Sequence, residues 1–147
     1  MPSSAPLRLA INGYGRIGRC FLRALLESPS AGHLEVVAIN EPANLESMAY
    51  LTRYDSTHGR LRGEVEISGS ALAINGRRIE VSHARTPEAV DWRALDIDLL
   101  IESSGGYGQR AELTRFLDAG CPRLLLSHPG FSGDDVDATI VNGINQN

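Results

Sequence analysis

Three glycines with a fixed spacing give the first indication of chemistry in this sequence. Gly13, Gly15 and Gly18 form the pattern G-x-G-x-x-G. In such a turn the first glycine allows a tight bend, the second lets backbone approach a pyrophosphate, and the third lets a helix pack on a strand. The N–H groups of the next helical turn would then face the anion. An ordinary strand-to-helix turn is the alternative, because the bare pattern is weakly specific.

The residues on either side of the glycines favour the nucleotide interpretation. The apolar run from Leu7 to Ile11 predicts a buried strand, and apolar residues recur at helical spacing from Ile17 to Leu25. A strand before the glycines and a helix after them is the context in which this motif binds a dinucleotide. The sequence therefore predicts a phosphate-binding turn at the first strand end.

An acidic residue follows the next predicted strand. The β-branched run from Leu34 to Asn40 predicts a buried parallel strand, which completes a βαβ unit. Glu41 lies 23 residues beyond Gly18, where a dinucleotide-binding fold places its acceptor for the ribose hydroxyls. The carboxylate would repel a 2′-phosphate and no arginine follows it directly, so we expect NAD rather than NADP. Taken alone, Glu41 could equally be a solvated carboxylate at a strand end.

The rest of the chain alternates predicted strands with predicted helices. We expect an α/β fold: a Rossmann-type, doubly wound, mainly parallel sheet with a small antiparallel hairpin insert, in one NAD(P)-binding domain over residues 1–147. The hairpin turn is predicted at Asn75-Gly76. The other predicted elements are a short helix at 44–51, a polar loop at 54–60, hairpin strands within 64–82, a short helix starting at Thr86-Pro87, a strand at 98–102, a helix around 113–117, and strands at 124–126 and 137–141.

Small or polar residues stand at the end of each predicted parallel strand. Ligands of open α/β sheets bind beyond the carboxyl ends of the strands, so these residues should share one rim. We expect that rim to hold Asn12-Gly13, Asn40-Glu41, Ser103-Ser104-Gly105 and Ser127.

Composition and missing motifs argue against other functions. A formal net charge of −4 is unlike a general nucleic-acid binder, and no apolar run approaches the roughly 20 residues of a membrane span. The first six residues lack the basic and apolar regions of a secretory signal. Cys20 and Cys121 have no paired spacing, which favours reduced thiols in a cytoplasmic protein. The four histidines lack metal-ligand spacing, so we expect no metal site.

Six short motifs spread along the chain carry a family resemblance. They are INGYGRIGR at 11–19, VAINE at 37–41, YDSTHG at 54–59, ING at 74–76, ESSG at 102–105 and VNGIN at 141–145. Through them the chain resembles the amino-terminal half of the glyceraldehyde-3-phosphate dehydrogenase family, over nearly all of its 147 residues. YDSTHG is the most distinctive of the six.

The resemblance implies specific contacts with NAD. It places the backbone of Arg16 and Ile17 on the pyrophosphate, Glu41 on the adenosine ribose and Arg85 on the adenine side. Ser103 to Gly105 and Ser127 would lie along the nicotinamide path. Thr86 and Ser104 depart from the family's Arg-Asp-Pro and Ser-Thr-Gly without removing a backbone contact. Our candidate cofactor-binding residues are thus Asn12, Gly13, Gly15, Arg16, Ile17, Gly18, Asn40, Glu41, Arg85, Ser103, Ser104, Gly105 and Ser127.

Within the family the chain most resembles the erythrose-4-phosphate dehydrogenase branch. Glyceraldehyde-3-phosphate dehydrogenases usually carry Asp at the position of Glu41. The other features are GYGQR at 106–110, SHPG at 127–130 and DAT at 137–139. A phosphorylating glyceraldehyde-3-phosphate dehydrogenase is the alternative within the family.

The family's catalytic machinery has no counterpart in this chain. Its nucleophile lies in a Ser-Asn-Ala-Ser-Cys-Thr segment, which neither Cys20 nor Cys121 matches. The resemblance thus implies an inactive, isolated cofactor-binding half without the C-terminal catalytic domain. In the complete cytoplasmic homotetramer, a thiolate would attack a sugar-phosphate aldehyde, hydride would pass to NAD, and water or phosphate would resolve the thioester. A stand-alone NAD-binding or partner-binding module without catalysis is the alternative from another class.

Overall fold

Strands and helices alternate along the part of the chain that the computed structural model describes, residues 4–130 and 132–147. Residues 1–3, part of the segment in which we expect no secretory signal, lie outside it. The helices are α1 (Arg16–Glu27), α2 (Leu45–Arg53) and α3 (Arg110–Asp118). The strands are β1 (Leu7–Asn12), β2 (Leu34–Asn40), β3 (Tyr54–Asp55), β4 (Gly59–Arg60), β5 (Val65–Ser68), β6 (Ala71–Ile74), β7 (Arg77–Ser82), β8 (Leu99–Glu102) and β9 (Leu124–Leu126).

The main sheet has seven strands in the order β5-β6-β7-β2-β1-β8-β9. Pairing is parallel from β7 through β9 and antiparallel in the β5-β6-β7 meander. The predicted hairpin is therefore part of the main sheet, because β7 pairs with β2. Chain order reverses between β2 and β8 on the two sides of β1, which is the switch point where such folds bind ligands.

Apolar residues cover both faces of this sheet. Helices α1 and α2 pack on one face, around Leu9, Ile11, Leu22, Met48 and Ile101. Helix α3 and the segment around Trp92 cover the other face, in a cluster that includes Ala10, Val37, Trp92, Leu100 and Phe116. Consecutive residues of β1 enter opposite clusters, as the two-residue period of a strand requires. The predicted doubly wound, Rossmann-type fold is confirmed.

Local signals in the sequence fix several element ends. Helix α1 starts directly after Gly15 and stops before Pro29, which cannot continue it. The Asn44 side chain caps α2 by accepting from the Ser47 amide at 2.8 Å. Asn75 and Gly76 both have positive φ, 51° and 78°, as the predicted type I′ turn demands. No helix in the described residues has the length and apolar character to cross a membrane.

Three predicted elements differ from the structure. The predicted strand at 137–141 is wrong: the Val141 amide donates to Asn145 Oδ1 at 2.6 Å, and Ile140 stays 61% exposed. A local turn takes the backbone groups that strand pairing would need, and β9 forms the sheet edge. The helix predicted after Thr86 is only a 3₁₀ turn at Pro87–Ala89, without a side-chain cap. The polar loop at 54–60 contains the short hairpin of β3 and β4.

Candidate functional site

A cleft of about 340 Å³ opens at the carboxyl ends of β1, β2 and β8. This is the rim at which the sequence predicts that the polar strand ends meet. Its wall contains eight of the candidate residues, namely Asn12, Gly13, Gly15, Asn40, Glu41, Arg85, Ser103 and Ser104.

The glycine turn is shaped by close backbone packing. Gly13 has φ 91°, and a Cβ there would lie 2.4 Å from both Cα and N of Ser104. A Cβ on Gly18 would lie 2.4 Å from the carbonyl oxygen of Gly13. Only glycine fits at these two positions, because backbone atoms cannot move aside as a flexible side chain can. The turn is therefore packed directly against the end of β8.

Gly15 differs from the other two glycines of the motif. A Cβ on it would meet no described atom within 4 Å, and the residue is exposed beside the cleft. Helix α1 begins at the next residue, with no acidic side chain in its first turn and no side-chain cap among the described residues. The exposed N–H groups of that turn can accept an anion, and open space over Gly15 leaves room for its approach.

Glu41 is bonded to the glycine turn. Its Oε2 accepts from the backbone N–H of Tyr14 at 2.7 Å, and its Oε1 accepts from Ala43 N–H at 3.1 Å. The Glu41 backbone is held by Ser82 O at 2.9 Å and by the His83 ring at 2.8 Å. A carboxylate has lone pairs left after two such bonds, so Glu41 can still accept from hydroxyl groups in the cleft.

A line of buried polar side chains runs beneath the cleft. Asn40 Nδ2 donates to Asn12 Oδ1 at 2.9 Å, and Asn12 Nδ2 donates to Glu102 Oε1 at 3.0 Å. At the other end, Ser82 Oγ donates to Asn40 Oδ1 at 2.8 Å. Asn12 and Asn40 are each 6% exposed, so their amides support the rim from below.

Ser103 links the glycine turn to the end of β8. Its N–H donates to the Asn12 carbonyl at 2.8 Å, and its hydroxyl donates to the Gly13 carbonyl at 2.7 Å. The hydroxyl is thereby occupied within the protein. The next residue, Ser104, is exposed at the rim.

Five candidate residues lie outside the wall of the cleft. Ser127 is exposed at the end of β9, and its N–H donates to the Glu102 carbonyl at 3.0 Å. Gly105 is exposed next to Ser104 and has φ 74°. Arg16, Ile17 and Gly18 form the first turn of α1, next to Gly15 in the wall. The structure thus brings eight of the predicted residues together and leaves these five at its border.

Part of the wall was not predicted from the sequence. Pro42, Ala84, Thr86, Pro87 and Tyr107 also line the cleft. Tyr107 is half-buried and meets Phe116 edge-on, with ring centroids 4.9 Å apart. Burial raises the pKa of its hydroxyl, so the ring is a neutral, aromatic wall. Its position two residues beyond Gly105 was the available signal, since aromatic residues commonly line ligand pockets.

Neither cysteine lies at this site. Cys121 is buried below α3, and burial raises its pKa to about 12. Cys20 is half-buried on α1, and both thiols are free. The described residues also contain no group of three or more His, Cys, Asp or Glu side chains that could hold a metal ion.

Comparisons with known proteins point to one family. The family model described as glyceraldehyde 3-phosphate dehydrogenase, NAD binding domain, matches residues 7–110. The chain is 44% identical over 139 residues to the plasmid-encoded glyceraldehyde-3-phosphate dehydrogenase of Cupriavidus necator, and 43% identical to the chromosomal one. Each match covers 95% of this chain and 41% of the relative. The chain therefore spans about two fifths of the length of these relatives.

Proposed function

The chain belongs to the glyceraldehyde-3-phosphate dehydrogenase family as a NAD-binding domain, and from this premise we propose where NAD binds and which reaction it serves. The proposed site is the cleft at the ends of β1, β2 and β8. The observation that carries the proposal is the 2.7 Å bond from Tyr14 N–H to Glu41 Oε2. This bond holds a phosphate-binding turn and a ribose acceptor in one arrangement.

Each part of the cleft suits one part of the cofactor. The N–H groups of Arg16 and Ile17 at the start of α1 would bind the pyrophosphate over Gly15. Glu41 would accept from the adenosine ribose hydroxyls. The adenine would lie near Arg85 and Tyr107, which line the same cleft.

The nicotinamide end is assigned to the β8 and β9 side of the rim. Ser103, Ser104 and Gly105 follow β8, and Ser127 follows β9. When bound, NAD supplies the acceptor for a hydride. The protein's own contribution on this side is a set of small residues, which leaves room for a planar ring. Backbone bonds hold Ser103 and Ser127 in place.

We propose that the complete enzyme oxidises a sugar-phosphate aldehyde, with erythrose 4-phosphate as the first candidate substrate. Glu41 and the stretches 106–110, 127–130 and 137–139 support that branch. Glyceraldehyde 3-phosphate is the second candidate, because the two Cupriavidus necator relatives are glyceraldehyde-3-phosphate dehydrogenases. Assays of the complete enzyme with both aldehydes, with and without inorganic phosphate, distinguish the substrates and the two ways of resolving a thioester.

Catalysis is proposed to need residues beyond this chain. The buried Cys121, with its raised pKa, is unsuited to nucleophilic attack. We therefore expect no NAD reduction by this chain with either aldehyde phosphate, and turnover would contradict the proposal. The reading frame after Asn147 tests it independently: codons for a Ser-Asn-Ala-Ser-Cys-like segment support a catalytic half, whereas a natural stop codon favours a stand-alone binding module.

Assembly and location complete the proposal. The family resemblance implies a homotetramer for the complete enzyme, which sedimentation of that enzyme tests. Two free cysteines are in keeping with a reducing compartment such as the cytoplasm. Fractionation of the source cells tests that location.

A further inference from the structure

Glu102 is an ionisable side chain that the proposed cofactor contacts do not use. It is the last residue of β8 and is 0% exposed. Its Oε1 accepts from Asn12 Nδ2 at 3.0 Å, from Ser104 N–H at 3.1 Å, and from the Ser104 hydroxyl in a short bond. Among the described residues, no donor reaches its Oε2. All of its polar contacts are therefore made by one oxygen.

That oxygen ends a one-way series of hydrogen bonds. Ser82 donates to Asn40, Asn40 to Asn12, and Asn12 to Glu102, across the neighbouring strands β7, β2, β1 and β8. Asn12 faces Glu102 in the β1–β8 register and Asn40 in the β1–β2 register. Because Oε1 only accepts, it fixes which way the Asn12 amide points. The Asn40 amide is held independently by the backbone of Ala84, which donates to its Oδ1 at 2.9 Å and accepts from its Nδ2 at 3.0 Å.

The same oxygen holds the residue against which the glycine turn packs. A Cβ on Gly13 would lie 2.4 Å from Ser104 Cα and N, so the two backbones are in direct contact. The same Ser104 nitrogen carries the N–H that donates to Glu102 Oε1 at 3.1 Å. A shift of Ser104 would therefore shift the surface that shapes the turn before α1.

We propose that Glu102 is a positioning residue for the cofactor: through Ser104 and Asn12 it sets the glycine turn that receives the pyrophosphate. The inference rests on the proposed function for that turn. Glu102 does not itself line the cleft, so it acts through its neighbours. The requirement is for an acceptor at the place of Oε1, where the hydrogen bonds from Asn12 and Ser104 meet.

Two conservative variants separate acceptor position from charge. Glu102→Gln keeps an oxygen at the place of Oε1 without the charge, whereas Glu102→Asp keeps the charge but withdraws the acceptor by one methylene. Binding of NAD, ADP-ribose and adenosine is measured by calorimetry or NMR titration. We expect the Gln variant to bind all three as the unsubstituted chain does. The Asp variant should bind NAD and ADP-ribose roughly 3- to 10-fold more weakly, as expected for one or two lost hydrogen bonds.

Adenosine distinguishes positioning from a general loss of structure. It lacks the pyrophosphate and meets the glycine turn only through the Glu41 side, which Tyr14 N–H joins to the turn, so in the Asp variant its affinity should fall less than that of NAD and ADP-ribose. Equal losses of affinity for all three ligands in the Asp variant overturn the proposal. A Gln variant that no longer binds NAD, together with an Asp variant that still binds it, overturns the proposal as well. If the unsubstituted chain binds no NAD, the proposed function itself fails.

Amide exchange on the unsubstituted chain gives a second test that needs no variant to fold. Ser104 is an exposed residue, so its N–H should exchange quickly unless Glu102 holds it. We expect slow exchange for Ser104. Fast exchange in the unsubstituted chain overturns the positioning role, whether or not NAD binds.

Discussion

The backbone N–H of Tyr14 donates to Glu41 Oε2 over 2.7 Å, which joins the glycine turn to the acid that follows β2. The Tyr14 side chain anchors the same residue on the other side. Its hydroxyl is 2.7 Å from Thr52 Oγ1, and burial raises its pKa to about 12. The turn is thus held by its backbone at the rim and by its ring in the core. Both anchors are hydrogen bonds within the protein, so the protein's own packing sets the position of the turn.

Replacement of Glu41 should weaken NAD binding. Glu41→Ala removes the acceptor for ribose hydroxyls and leaves the Tyr14 and Ala43 amides unpaired. Hydrogen bonds to charged groups contribute about 1.5–3 kcal/mol, so we expect a loss of roughly 10- to 100-fold in affinity. The preference for NAD over NADP should also shrink, because the repelling charge is gone. Calorimetry measures both, with Glu66→Ala on the exposed edge of β5 as the control. Unchanged NAD affinity in Glu41→Ala would contradict the ribose role.

The first two glycines of the motif should respond differently to alanine. Gly13→Ala puts a Cβ 2.4 Å from Ser104 and demands a left-handed backbone of φ 91°, so it should cost about 1–3 kcal/mol of stability or more. Gly15→Ala meets no atom within 4 Å and should change stability by under about 1 kcal/mol. It should nevertheless weaken NAD binding, since the methyl group would lie where the pyrophosphate approaches. Thermal melts and NAD titration of both variants test this, and a Gly15→Ala variant with full NAD affinity would be evidence against our placement of the pyrophosphate.

The contact between Glu88 and Arg115 should make stability depend on pH. The two oxygens of Glu88 accept from Arg115 at 2.6 and 2.9 Å, which lowers the pKa of Glu88 to about 2. A lowered pKa in the folded state means that the contact contributes fully to stability at pH values above the ordinary pKa of Glu88, which is near 4.5. This contribution disappears as pH falls towards 2, because the unfolded chain takes up the proton first.

Melting temperatures of the unsubstituted chain and Glu88→Gln test this pH dependence. The unsubstituted chain should melt higher at pH 7, and the difference should close between about pH 4.5 and 2. High salt should reduce the difference, since both side chains are about half exposed. A difference that is constant from pH 7 to pH 2 would show that the ion pair does not cause it.

Cys121 should resist thiol reagents while the protein is folded. Burial raises its pKa to about 12, so almost no thiolate exists at pH 8. In a Cys20→Ser variant, which leaves Cys121 as the only thiol, we expect slow reaction with a disulfide reagent until denaturant is added. Fast reaction of the native variant would show that the apolar cluster around Cys121 opens readily.

Much of the fold could be predicted because its signals are local. The apolar run of β1, the glycines and the helical period of α1 lie next to one another in the sequence. The Asn75-Gly76 turn is likewise set by two residues that tolerate positive φ. The strand predicted at 137–141 failed because a strand also needs a neighbouring edge, which no local pattern reveals. Its last residue bonds within the turn instead: the Val141 N–H donates to Asn145 Oδ1, and the Val141 carbonyl accepts from Ile144 N–H.

The residues at the rim of the candidate site could be predicted from the sequence, but the buried residues beneath the rim could not. Parallel strands bring their ends together, which is why Gly13, Glu41 and Ser104 could be placed at one cleft. The burial of Glu102 could not be foreseen, since a glutamate at a strand end is usually solvated. It follows from the register that sets Asn12 opposite Glu102, and register is a property of the assembled sheet.

Calorimetric titration of this chain with NAD and with NADP tests the central claim most directly. The claim is that the cleft binds a dinucleotide through the glycine turn, and that Glu41 accepts a hydrogen bond from the free ribose hydroxyl. We predict measurable NAD binding, weaker than in the complete enzyme, and NADP binding weaker by roughly tenfold or more, because a 2′-phosphate would face the Glu41 carboxylate. Equal binding of NAD and NADP, or no binding of NAD, would contradict the account.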